Sequence, residues 1–286
     1  MLLQFVINGL ITGLLYSLLA IGFALVYNTT HIFHIAAAGI YVFAAYMFWW
    51  LSGYMPLCLA GGMAMLFSAA LSLLIDLSVY RPLQKRNSSL NSILVASIGV
   101  MTILVNMIAI LWGNESKLFS TDATTLEFGR IFLNRAQLYQ FAIGLGALII
   151  FTLFTKKTSL GLRLQALTFD RELFGALGYN EWLTRSYVIL LSGCFIGLSS
   201  ILNVYDVGMD PNMGMNLLIN AMVAMIIGGI GRIEMCIAGG VLLGVLQSLV
   251  ICFFSSAWQM AITFIVLLLL LFFRPQGLMG YKRRMV

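Results

Sequence analysis

Residues 5–27 read FVINGLITGLLYSLLAIGFALVY, 23 positions without one Asp, Glu, Lys, Arg or His. As an α-helix this run is about 34 Å long, enough to cross the roughly 30 Å hydrocarbon core of a bilayer. Apolar residues fill both periods rather than alternating, which selects a helix over a barrel strand, because in lipid every backbone N–H and C=O must be paired within the protein. The rest of the chain repeats this pattern. Of 286 residues, 61% are hydrophobic and only 9% charged, and the mean hydropathy is +1.00. A domain with a wetted surface does not reach such values, so the solvent is lipid and the expected fold class is all-α, a polytopic transmembrane bundle.

Nine candidate spans follow, at roughly 5–27, 32–53, 55–79, 92–112, 138–155, 186–204, 215–231, 235–254 and 257–273. Thirteen of the 16 Lys and Arg residues fall in the loops and terminus of one side, among them Arg81, Lys85, Lys156, Arg185, Arg232 and Arg284; Lys117, Arg130 and Arg135 lie opposite. Positively charged loops stay in the cytoplasm, which puts the N-terminus outside and the C-terminus inside, in the bacterial inner membrane. The first residues carry no basic charge and no small-residue cleavage site, so the first span is expected to remain in the mature protein. Scattered basic residues and a net charge of +6 are explained by this topology rather than by nucleic acid. Cys58, Cys194, Cys236 and Cys252 sit inside apolar runs without metal or redox spacing and read as small hydrophobes.

The chain is expected to be one domain, organised around its middle: a first repeat of four spans (about 5–112), a connecting helix (about 138–155), a cytoplasmic loop (about 156–185) and a second repeat of four (about 186–273). The two sets start on opposite sides, which is the layout of an inverted repeat with a central solute path. In the cytoplasmic loop, Phe169, Leu173, Ala176 and Leu177 share a helical face, with Thr168 or Asp170 able to cap the start and Gly178 suited to the end. Such a helix either rests on the bilayer surface or is offered to a cytoplasmic partner. The external segment 113–137 carries no readable role.

Enzyme classes fail early. No GxxxxGK[ST] run cradles a phosphate, no serine occupies a nucleophile elbow, and no carboxylate pair lies inside the expected spans. His31 and His34 are spaced by one turn but lack a third ligand, and read as lining or abutting a polar path rather than as a metal site. Asp76 is the one formal charge inside an expected span, placed to reach the interface and pair with Arg81 or Arg86. With almost no intramembrane charge, coupling to a proton or sodium gradient has no vehicle, and energy must come from elsewhere. Asn8, Asn106, Asn203, Asn216, Asn220 and Gln247 punctuate the spans; each either meets a passing solute or bonds a neighbouring helix. Gly9 with Gly13, Gly193 with Gly197 and Gly240 with Gly244 signal close helix packing.

Specific strings then carry a resemblance. Asn8-Gly9 through Gly13, Tyr16, Ala20-Ile21-Gly22 and Tyr27, with Ala45-Tyr46, open the chain; Tyr80-Arg81-Pro82-Leu83 and Ser97-Ile98-Gly99-Val100 follow. Gly161 to Arg163, Asp170 and Leu177-Gly178 stand in the cytoplasmic loop, and Gly228-Gly229-Ile230-Gly231, Gly239-Gly240, Leu243-Gly244 and Phe273-Arg274-Pro275-Gln276-Gly277-Leu278 close the sequence. In this order they resemble permease subunits of branched-chain amino acid ABC importers over nearly the whole chain. The resemblance implies a partner permease, identical or paralogous, two cytoplasmic ATP-binding subunits, and an extracytoplasmic solute-binding protein. It implies no cofactor. Gly161, Arg163, Asp170, Leu173, Leu177 and Gly178 would then couple to the ATPase, while His34, Asn8, Asn106, Asn216, Asn220 and Gln247 are the candidate solute path.

Three segments depart from the family pattern: His34-Ile35-Ala36-Ala37-Ala38-Gly39, where relatives commonly read Asn-Phe-Ala-His-Gly-Glu; Arg232-Ile233-Glu234-Met235, where a small residue and Pro-Gly are usual; and Gln165 to Phe169, usually more charged. The first leaves the solute open. Branched-chain or other hydrophobic amino acids lead, with urea or short amides second; a self-sufficient channel or secondary carrier is the reading from a different class.

Overall fold

The computed structural model describes residues 2–119, 125–128, 131–169, 174, 175, 177–229, 231–273 and 277. Six helical stretches are long and apolar enough to cross a membrane, and three shorter apolar helices bring the total to nine among the described residues. In chain order they are α1 (Leu2–Thr30), α2 (Ala36–Ser52), α3 (Leu57–Ile75) running through a π-turn (Asp76–Tyr80) into α4 (Arg81–Lys85), and α5 (Leu90–Trp112). Then come α6 (Arg135–Lys157), a short α7 (Ser159–Phe169), α8 (Glu181–Val207), α9 (Met213–Gly228), a 3-10 turn (Ile233–Met235) into α10 (Cys236–Phe253), and α11 (Trp258–Phe273). The fold is an all-α membrane bundle. Its one departure among the described residues is a hairpin, β1 (Thr125–Phe128) antiparallel to β2 (Ile131–Asn134), which Gln4 ties to α1 through both side-chain atoms on the Phe132 backbone, at 2.7 and 2.9 Å.

α1 is the axis, about 43 Å long and buried over most of its length, while α5 and α6 are peripheral. Lipid supplies no hydrophobic drive between helices, so contact depends on backbones approaching closely and on serines bonding across the gap. Against α10, a Cβ on Gly13 would lie 2.7 Å from the Val241 Cα, and Ser17 donates to the Ile237 carbonyl at 3.0 Å. The same device joins α8 to α3: a Cβ on Gly193 would lie 2.6 Å from the Ala69 Cα, and Ser68 donates to the Gly193 carbonyl at 3.0 Å. Ser199 donates to the Leu15 carbonyl and Ser192 to that of Gly22, which fixes α1 and α8 antiparallel.

Several expected boundaries move. The link between α1 and α2 is non-helical over 31–34, with His31 at φ +56°, so His34 precedes the helix instead of opening the span. α8 begins at Glu181 and ends at Val207, which brings Arg185 and Asp206 into a membrane helix that was expected to hold neither. In the long loop after α6, Thr168, one of the two candidate caps, stands inside the last turn of α7 and donates to the Leu164 carbonyl at 3.0 Å. The buried stripe is Gly161, Leu164 and Leu167, one helical face that a Gly in the first turn hides from a hydrophobicity count. Gly178 adopts φ +81°, the left-handed conformation expected of it, whereas Asp170, Leu173 and Ala176 lie outside the described residues.

Candidate functional site

Near the end of the bundle that carries the hairpin, α1, α8, α9 and α11 part around a cavity of about 500 Å³. Two loops roof it. Gly208, at φ +87°, ends α8 and turns the chain so that Met209 exchanges backbone hydrogen bonds with Lys117 at 2.8 and 2.9 Å, which brings Ser116 and Leu118 over the opening. Its lining mixes polar residues, among them Tyr16, Gln140, Asn203, Asp206, Asp210, Asn216 and Gln259, with apolar Leu15, Met213 and Leu217.

Asn216 and Asn220 are one helical turn apart on α9, as are Gln259 and Thr263 on α11, so each pair faces the same way. Below the cavity these pairs meet Gln247 of α10. Its amide donates to Asn220 Oδ1 at 3.1 Å and to Thr263 Oγ1 at 2.6 Å, and its Oε1 accepts from Gln259 at 3.1 Å. The Tyr16 hydroxyl reaches Gln259 and Asn220 from α1. Gln247, Asn220 and Thr263 are all buried. Unpaired amides at this depth would cost several kcal/mol each, roughly the price of an unmade hydrogen bond in hydrocarbon, so the network is closed on itself and continuous with the cavity floor.

Asp206 and Asp210 give the cavity its charge. Gln140 reaches Asp206, and Asp210 accepts from the Asn212 backbone N–H at 2.8 Å. Among the described residues neither carboxylate has a cation within ion-pair distance. No group of three His, Cys, Asp or Glu is gathered for a metal among those residues.

The opposite end holds a second polar cluster. Asp76, turned inward by the π-turn, is fully buried and accepts from Arg81 at 2.7 Å and from Arg185 of α8. Pro82 lacks an N–H, and the widened turn places it in the first turn of α4, where none is needed. Arg185, itself buried, also donates to Gln84, and Arg81 to Ser186. The Trp182 ring faces Arg81, Lys85 and Arg185 at 5.4 to 5.6 Å. Beside this knot His34 Nδ1 meets the Tyr80 hydroxyl at 2.8 Å, Tyr80 meets Ser97 at 2.8 Å, and Ser97 accepts from the Ala36 N–H at 2.9 Å. Asp76 therefore pairs with Arg81 as expected, but buried and shared with a second arginine instead of at the interface.

Of the six residues singled out for a solute path, the structure brings Asn216, Asn220 and Gln247 together. Asn8 lies near the start of α1 beside Gln4, Asn106 is exposed on α5 and bonded to the Thr102 carbonyl, and His34 sits in the knot away from the cavity. Tyr16, Asp206, Asp210, Gln259 and Thr263 escaped the sequence reading. The i, i+4 spacing of Gln259 and Thr263 in an otherwise apolar helix was the available signal.

A multi-pass helical bundle with a solute-sized polar cavity beneath one face is the architecture of a membrane permease. The chain belongs to the branched-chain amino acid transport system permease component family, which matches residues 5–271. It is 26% identical to the high-affinity branched-chain amino acid transport permease BraD of Pseudomonas aeruginosa, covering 97% of this chain and 95% of that one. It is 24% identical to LivH of Escherichia coli over 97% and 95%, and 26% identical to the probable LivH of Methanocaldococcus jannaschii over 96% and 91%. Among solved structures, PsaBC from Streptococcus pneumoniae in complex with Fab shares the fold, with a TM-score of 0.54 at 12% identity over 94% of this chain and 91% of that one. As a permease subunit of an ABC transporter, the chain is not itself an enzyme.

Proposed function

We propose that this chain is the membrane subunit of an ABC importer that carries branched-chain or other hydrophobic amino acids into the cytoplasm. The cavity carries the reading. It offers Asp206 and Asp210, which have no cation at ion-pair distance among the described residues, to an ammonium group, carboxamides to a carboxylate, and Leu15, Met213 and Leu217 to an aliphatic side chain. Asn216, Asn220 and Gln247 continue inward from it as the path. Nine spans, an external N-terminus and a cytoplasmic C-terminus follow from the basic loops. The inverted repeat draws support from packing: α1 on α10 is mirrored by α8 on α3, α2 on α3 by α9 on α10, and α1 on α9 by α8 on α2.

Two ATP-binding subunits would dock on α7, with a second permease alongside and a solute-binding protein delivering to the cavity. Gly161 seats α7, because a Cβ there would overlap the Phe154 carbonyl, and Thr158 caps the helix by accepting from the Gly161 N–H at 3.0 Å. Arg163 faces the Tyr179 ring at 4.8 Å, and Tyr179 stacks on buried Phe174. Exposed Arg163, Leu177 and Gly178 are then the docking surface, to which Asp170 and Leu173 are assigned by resemblance.

The carboxamide network favours one other solute, urea or a short amide, which pairs donors with acceptors and needs no carboxylate. Uptake into vesicles containing the reconstituted transporter separates the two: Asp206→Asn should lower leucine uptake about 10- to 100-fold under the amino-acid reading and spare urea uptake under the other. Uptake by the chain alone, without ATP-binding subunits, would point instead to a channel or carrier.

A further inference from the structure

We propose that Glu234 is a positioning residue that transmits movement of α7 to the helix carrying Gln247, an inference that rests on the reading of α7 as the ATPase seat. Glu234 stands in the 3-10 turn that opens α10, within the segment where this chain departs from the family pattern. Its two carboxylate oxygens are held separately by the end of α6. Thr155 Oγ1 donates to Oε1 at 3.1 Å, and Lys156 Nζ pairs with Oε2 at 3.3 Å. Thr155 is itself buried, and Gly161 presses the first turn of α7 onto its backbone. α7 and the last turn of α6 therefore form one elbow. Between that elbow and the turn before α10 lies a cavity of about 410 Å³, bounded by Leu164, Gln165 and Thr168 on one side and by Arg232 and Ile233 on the other.

The cavity leaves room for α7 to tilt, and the clamp on Glu234 bridges its edge. Movement of α7 then pulls the turn. α10 is suited to follow as a rigid rod, because Gly239, Gly240 and Gly244 bring it against the backbones of α9 and α1 with few bulky side chains between them. Three turns further along, Gln247 holds the network beneath the solute cavity. The Lys156 side chain is 60% exposed and that of Glu234 25%, so the pair contributes little to folding. Its removal should leave the fold intact and loosen transmission.

The test uses proteoliposomes holding the full transporter with its binding protein, scored for ATP hydrolysis and for radiolabelled leucine uptake. With Glu234→Lys we expect basal ATPase within about twofold of wild type and leucine carried per ATP reduced about tenfold, in the range of a coupling lost between sites. The exchanged pair Lys156→Glu with Glu234→Lys should recover at least half of the wild-type ratio. An unchanged ratio in Glu234→Lys overturns the clamp, as does a parallel loss of ATPase and uptake, or an exchange that restores nothing. If the wild-type transporter shows no ATP-driven leucine uptake, the function proposed above fails and takes the clamp with it; a working wild type beside an unaffected variant removes the clamp alone.

Discussion

The two polar clusters of this bundle are built from similar amounts of buried polarity and do opposite things with it. At the Asp76 knot, one carboxylate is shared by two arginines, and Gln84, Ser186 and Trp182 take up further contacts of the guanidiniums. Around the cavity, neutral amides bond to one another and two carboxylates face open volume with no cation beside them among the described residues. A knot of paired charge is costly to take apart, because each separated ion must be desolvated alone. A network of amides can exchange partners with a solute at little net cost, since each bond is replaced by one of similar strength. The first is suited to hold two helices at one end of the bundle; the second is suited to let something through.

The contrast is breakable, first at the knot. Asp76→Ala takes the carboxylate from buried Arg185 and half-buried Arg81 and should destabilise the protein by about 3–5 kcal/mol, read as a large fall in melting temperature in detergent or failure to accumulate in the membrane. A shift no larger than that of a surface substitution would mean the knot does not hold α3 to α8. At the cavity, Asp206→Asn keeps shape and removes charge. Leucine uptake should fall by about 10- to 100-fold, matching the 1.5–3 kcal/mol typical of hydrogen bonds to a charged group, with the melting temperature nearly unchanged. If stability fell instead, the two clusters would not differ in kind.

His34 sharpens the comparison because sequence and structure pull it in different directions. Its position within the departing segment suggested the solute path, yet its ring is bonded to Tyr80 beside the knot. His34→Ala should therefore cost about 1–3 kcal/mol of stability by leaving Tyr80 short of a partner, and leave the apparent KM for solute unchanged; a KM shift would return His34 to the path. Smallest of all, His31→Ala at the exposed link should stay within about 0.5 kcal/mol, and the same melting assay run side by side makes it the reference.

Legibility differed by cluster for a physical reason. Asp76 and Arg81 are five residues apart on one helix, so their pairing could be read locally, whereas Arg185 is 109 residues from Asp76 and its part required the fold. Asn216, Asn220 and Gln247 stood out as polar interruptions in apolar spans. Nothing local distinguished them from Asn106, which satisfies itself on its own helix facing outward. Tyr16 and Thr263 read as ordinary helix residues, and Asp206 was hidden because the apolar run appeared to stop before it. α7 was missed for the same reason: Gly161 looks like a helix breaker until the backbone of Thr155 is seen against it.

By itself, then, the sequence determined the solvent, the helical class and the ordering of apolar segments, since these depend on hydrophobic length and on the rule that backbone groups in lipid must bond within their own helix. It also marked the close-packing seams, because only small residues allow two backbones to approach as near as Gly13 and Val241 do. Which polar residues meet, and whether they meet as a closed knot or around an open cavity, was decided by tertiary structure alone. Those contacts join α1, α8, α9, α10 and α11 across up to some two hundred residues, and a side chain's partner at that distance is set by how the helices cross rather than by what stands next to it in the chain.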